Sequence, residues 1–244
     1  MKKISLAAQI GHVSALMAIT AIAVYMLSFF AILIVNPLHV WSDFTSYLAY
    51  QQQHPQIFKY LAQGSMLLFP LLHLLMLNSA FDTRPIEVQS AMRAALLLAA
   101  GSTVLVAMHY WVQITAVRMN LDKSTPDGLL QFIQAKPDSA MSAINLLGWT
   151  LFYGLSSLLA APAFSGSKIE AALRWAFIVN GLNSLIGGIA YLLDFTLVVG
   201  VTMNLTLGGC MLAISALMLM LFRRQRITAP ASVDKSSFPA PASR

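Results

Sequence analysis

Six stretches of this chain stay apolar long enough to cross a lipid bilayer as helices, and few architectures can accommodate them. They are residues 12–35, 57–78, 94–119, 141–163, 172–198 and 202–222. A hydrocarbon layer of about 30 Å needs roughly 20 apolar residues in a helix. Inside such a layer every backbone N–H and C=O must be satisfied within the segment, which a helix does. The pattern predicts an all-α, multi-pass integral membrane protein: a six-transmembrane-helix bundle over residues 1–226, followed by a disordered cytoplasmic tail over 227–244. Composition agrees, because 58% of the 244 residues are hydrophobic and only 10% are charged. A soluble domain carries about 25% charged residues, so a water-soluble globular enzyme is excluded.

The first segment reads as a retained transmembrane helix. It is longer than a signal-peptide core, and Asn36-Pro37 follows it with no small-residue cleavage site. Segments five and six form a tight antiparallel hairpin, with the turn expected near Gly200. Ser167 and Glu170 have capping-box spacing, which predicts a clean helix start beside them.

Lys and Arg set the orientation. With the N-terminus inside, eleven of the fifteen fall on the inner side, including Lys2, Lys3, Arg84, Lys168 and Arg223-Arg224-Gln225-Arg226, and four on the outer: Lys59, Arg118, Lys123 and Lys136. The positive-inside rule then places both termini in the cytoplasm of a cell membrane, the inner membrane in a two-membrane cell. The net charge of +6 belongs to this pattern. It forms no basic stripe with interleaved aromatics, so a nucleic-acid partner is not expected.

Two outer connections, 36–56 and 120–140, are long enough to carry structure. Ser42-Asp43 followed by Phe44, Tyr47, Leu48 and Tyr50 suits a short amphipathic helix. Thr125-Pro126-Asp127 begins a second, with Leu129, Leu130, Phe132 and Ile133 on its apolar face and Pro137 limiting it. They lie in the headgroup layer or form a two-piece lid over the outer mouth. An inverted three-plus-three repeat has little support beyond similar openings at Phe58-Lys59-Tyr60 and Leu173-Arg174-Trp175.

The most informative residues are polar ones inside the apolar segments, since each costs free energy there unless paired or hydrated. At about 1.5 Å per residue, Ser28, Gln63, His109, Gln113, Asn145, Tyr191 and Asn204 all fall ~20–28 Å above the inner boundary. Asp194 and Arg118 lie at the outer boundary. Asn180, Asn183, Gly187, Tyr191 and Asp194 share one stripe of their helix, and His109 and Gln113 share a face of theirs. An Arg118–Asp194 ion pair is one expectation. Asn and Gln also hold helices together by hydrogen bonds, with Gly148, Gly154, Gly181, Gly187 and Gly188 allowing close approach.

Several chemistries fail on the residues. His73 and His109 differ by ~16 Å in height, so they cannot share a haem iron. His39, His54 and Asp43 match no metal-ligand spacing. Cys210 is the sole cysteine, which excludes an intramolecular disulfide. Gly154-Leu155-Ser156 lacks the second glycine of a hydrolase elbow, and no Walker loop or zinc-protease motif occurs. No cofactor or metal is expected.

The leading expectation is binding of a small amphipathic or lipid-like molecule in an outward-facing polar pocket, with transport or sensing following from it. The ligand-binding candidates are Gln63, His109, Gln113, Arg118, Asn145, Tyr191, Asp194 and Asn204. The expected partners are membrane lipids and that ligand, with oligomerisation left open. One alternative is acid–base catalysis on a lipid or isoprenoid, with Asp194 as acid and His109 as base. Another is a partner subunit without a site, whose polar slab would be dry and closed.

Overall fold

The computed structural model describes residues 6–35, 44–54, 56–123, 128–134, 136 and 138–228, with side chains to residue 225. Helix is the only regular element among them. The chain runs as α1 (Leu6–Val35), the short α2 (Phe44–Gln53), α3 (Ile57–Phe81), α4 (Ile86–Asp122), α5 (Ala140–Ala163), α6 (Lys168–Leu192) and α7 (Thr196–Gln225). Six of these, all but α2, are long and apolar enough to cross a membrane. Residues 227 and 228 of the expected tail continue the last helix. The rest of that tail, Lys2, Lys3, His39, Ser42-Asp43, Thr125-Pro126-Asp127 and Pro137 lie outside the described residues.

Small residues position α1. Ala8, Gly11, Ala15, Ala18 and Ile22 recur every three or four positions and are buried, giving one smooth stripe that packs on α3 and α7. The ring of Phe222 fills the space a side chain at Gly11 would need. At the α5–α6 crossing, a Cβ on Gly181 would stand 2.8 Å from the Gly154 carbonyl oxygen. Only glycine permits backbones that close. Asn180 Nδ2 donates to Ser157 Oγ at 2.7 Å across the same interface. Ser102 and Ser156 join α4 to α5 through the carbonyls of Gly148 and Ala95.

One end of the bundle is clamped by Arg84. Its Nη1 donates to Glu170 at 2.7 Å and to the Ala163 carbonyl at 3.1 Å, and its guanidinium stacks on Phe164. Glu170 also accepts from the Ser167 N–H at 2.8 Å, completing the capping box that begins α6. The main core lies between this end and mid-bundle, around Phe69, Met76, Tyr153, Phe177 and Ile214.

Elsewhere the exposed faces are apolar. Trp175, Val179, Leu182, Ile186 and Ile189 form an exposed stripe along α6, and Leu97, Val104 and Trp111 are exposed on α4. A water-facing helix would carry polar residues at such positions.

The α6–α7 turn lies at Leu193–Phe195 rather than near Gly200, which is helical. Phe195 N donates to Ala190 O at 2.8 Å and Asp194 N to Tyr191 O at 3.2 Å. With Asp194 at φ 58°, this is a Schellman motif. The predicted helix after Thr125 is also shorter. Gly128, at φ 73°, opens only a 3-10 turn, Leu129–Gln131, and its left-handed backbone interrupts any α-helix through that point. The short helix of the first connection does form, as α2.

Candidate functional site

Away from the Arg84 clamp the long helices become less regular. Three π-helical stretches interrupt them there: Gln113–Val117 in α4, Gly148–Phe152 in α5 and Val201–Thr206 in α7. A π turn adds a residue to the local ring, shifts the faces that follow, and frequently marks functional sites. Each of the three contributes to the wall of one cavity of about 890 Å³.

The connections brace the mouth of this cavity. Tyr47 of α2 packs with Val117, Leu121, Leu129 and Ile133 in a second hydrophobic cluster. Burial pushes the Tyr47 phenol well above its usual range, with the nearby Tyr60 and Tyr50 adding to the shift. Gln113 fastens the second connection, its Nε2 donating to Phe132 O at 2.5 Å while its Oε1 accepts from Gln134 N at 3.1 Å. Gln63 Nε2 donates to Gln134 Oε1 at 2.9 Å from α3. Ser139 caps α5 and also donates to Ile133 O at 2.9 Å.

Seven of the eight predicted site residues line the cavity: Gln63, Gln113, Arg118, Asn145, Tyr191, Asp194 and Asn204. They do different work. Gln63 and Gln113 are engaged with the connection. Asn204 Nδ2 donates to Gly200 O at 3.0 Å, and its Oδ1 accepts from the Tyr25 hydroxyl at 3.1 Å, tying α7 to α1. Asn145 Oδ1 is buried and finds no partner among the described residues. Lower on the α6 stripe, Asn183 bonds Thr202 O at 3.0 Å and serves packing.

His109 is not among the lining residues. It is fully buried, its Nδ1 lies 3.0 Å from Met141 O, and its ring stands edge-on to Tyr110. The structure therefore does not bring His109 and Asp194 to a common surface.

The expected Arg118–Asp194 ion pair does not form. Among the described residues the ion pairs are Arg84–Glu170 and Lys136–Asp138. Arg118 turns back on its own helix, with Nε donating to Ile114 O at 3.0 Å. Asp194 is exposed at the turn. The hydrogen bond from Lys136 holds the Asp138 carboxyl below the usual carboxylate range.

Sequence reasoning missed Lys59, Tyr25, Tyr60 and Trp149, which also line the cavity. Lys59 donates to Gln51 Oε1 and sits 4.8 Å from the Tyr60 ring centre. Its place in the first turn of α3 was the available signal, one turn before Gln63. Deeper in, the wall becomes apolar, with Met66, Trp149, Leu207 and Met211. The arrangement offers hydrogen-bonding and charged groups at the mouth and an apolar floor. No family model, curated protein or solved structure matches the chain.

Proposed function

We propose that this chain is a six-span integral membrane protein, with both termini cytoplasmic, that binds a small amphipathic or lipid-like molecule in the cavity between its helices. The observation carrying this reading is the cavity itself. Its volume of about 890 Å³ lies within the range of roughly 300–1,000 Å³ typical of ligand pockets. Its wall grades from amides, phenols and charges to Met, Leu and Trp, matching a molecule with a polar head and an apolar body. A closed, dry slab, which a subunit without a site would need, is a poorer fit to this space. The apolar exposed stripes on α4 and α6, with charges gathered at the helix ends, support membrane insertion. Transport or sensing would each use the same bound state.

Occluding the cavity tests the reading. Gly200 lines it, and a Cβ there meets no atom within 4 Å. Gly200→Leu is expected to fold as the parent does and to lose most amphiphile binding. Native mass spectrometry of the purified protein with single-chain lipids would show it. Equal lipid occupancy in parent and variant would refute the site.

A further inference from the structure

Opposite charges line this cavity without neutralising one another. The cations come from neighbouring helices, Lys59 near the start of α3 and Arg118 near the end of α4. They come close together because α3 packs against α4 and its Gln113–Val117 stretch, just before Arg118. Asp122 acts on Lys59 and Tyr60 but is not a lining residue. The acids come from other elements of the wall, Asp138 just before α5 and Asp194 in the α6–α7 turn.

These charges differ in what remains available. Asp138 is already bonded to Lys136 at 2.5 Å. The Asp194 carboxylate has no hydrogen bond or ion pair among the described residues, and neither Lys59 nor Arg118 has a carboxylate partner among them. An exposed Arg and Asp normally meet if they can reach each other. Here both line one cavity and are not paired, so a guest carrying both charges can complement both at once. A purely anionic head would face Asp194 unpaired, and a purely cationic head would face Lys59 and Arg118, each a like-charge cost.

We propose that the ligand is an amphiphile with a dipolar headgroup, its anionic group held by Lys59 and Arg118 and its amine by Asp194, with Tyr191 beside it. The inference rests on the cavity being an amphiphile site and adds the headgroup class. A phosphate joined through a short linker to an ammonium has this chemistry. Arg118 offers its terminal N–H groups to phosphate oxygens, and the Asp194 carboxylate accepts from the amine.

The experiment titrates purified protein with three single-chain lipids bearing phosphoethanolamine, phosphoglycerol or trimethylammonium heads. Tryptophan fluorescence reports binding, and the readout is the ratio of affinities, which a uniform loss of folded protein does not move. The parent is expected to bind the phosphoethanolamine lipid at least about tenfold more tightly than either of the others, since tenfold is the selectivity of one well-placed charge contact. Asp194→Asn, which keeps a side chain tolerated at positive φ, should bring the phosphoethanolamine and phosphoglycerol lipids within about twofold. Arg118→Gln should close the gap to the trimethylammonium lipid. If the parent binds all three equally, or Asp194→Asn leaves its ratio unchanged, the dipolar assignment fails while the amphiphile site stands. If none of the three binds, the amphiphile site itself fails, and this inference with it.

Discussion

Asp194 occupies a backbone conformation that glycine fills at less cost. Its φ of 58° places it at the left-handed position of the Schellman turn ending α6, where glycine is usual. A left-handed residue bearing a Cβ costs roughly 1–2 kcal/mol, and Asp is one of the few that tolerate it. Asp194→Gly removes that cost and keeps both turn bonds, Phe195 N to Ala190 O and Asp194 N to Tyr191 O. The expected gain is about 1 kcal/mol, after allowing for the greater entropy glycine loses on folding. For a chain of this size that raises the melting temperature by about 2–4 °C. Asp194→Ala keeps the Cβ without the polar tolerance and should lower stability by roughly 0.5 kcal/mol or more.

Binding should move the other way. The carboxylate lines the cavity and has no partner among the described residues, so Asp194→Gly should be more stable and bind the phosphoethanolamine lipid more weakly. Thermal unfolding in detergent followed by circular dichroism reads the first effect, and lipid titration reads the second. A lower melting temperature for Asp194→Gly than for the parent would refute the turn argument. Unchanged lipid affinity would refute a ligand role for the carboxylate. Opposed changes would explain why a strained aspartate stands where glycine fits better.

Three further perturbations have defined outcomes. Gly181→Ala drives a Cβ against the Gly154 carbonyl oxygen and should cost about 1–3 kcal/mol; Gly209→Ala, with nothing within 4 Å of its new Cβ, serves as the control and should melt no lower than the parent. Arg84→Ala leaves Glu170 without its ion-pair partner. Glu170 keeps partial exposure, 17% of its side chain, so the loss should be about 3 kcal/mol, the lower end for buried pairs; a loss under 1 kcal/mol in urea unfolding would count against the clamp. Gln113→Leu removes both bonds holding the second connection. At about 1 kcal/mol each, amide hydrogen exchange across residues 128–134 should accelerate about 30-fold.

The helices were legible because their signal is coarse. A run of apolar residues as long as a bilayer is thick fixes element type and approximate ends, and all six runs correspond to helices. The capping spacing of Ser167 and Glu170 was equally direct. The α6–α7 turn was not legible for a physical reason: Gly200 looks like a turn residue, while Asp194 continues the helical stripe of Asn183, Gly187 and Tyr191. The turn forms earlier because Asp194 accepts the left-handed conformation, which periodicity does not report.

The same distinction governs the site. Height along a helix, counted at a fixed rise, was enough to collect seven candidates on one cavity wall. Height alone does not decide what a side chain meets. His109 points to Met141, whereas Gln113, one turn later, reaches the mouth and its connection. Gln113 N still donates to His109 O, so the two share a face as the four-residue spacing implied. One meets the start of α5 and the other the connection before it, a difference in level along the helix that spacing alone does not translate into cavity lining.

Stability and binding thus draw on different ends of one bundle. At the Arg84 end, small residues bring backbones together, and the guanidinium is satisfied by carbonyls and a carboxylate. At the other end the helix interruptions border the cavity, and Lys59, Arg118 and Asp194 are left without ion-pair partners among the described residues. Leaving polar groups uncompensated is costly, and helices packed as closely as α5 and α6 at Gly154–Gly181 would have no room for them. The close-packed half fixes helix positions, and the open half can hold Asp194, Arg118 and Lys59 in place before any guest arrives. A site arranged in advance loses less conformational entropy on binding than one assembled around its ligand. Loosening the packed end, as in Gly181→Ala, should therefore weaken lipid binding as well as stability, although Gly181 touches no part of the cavity wall.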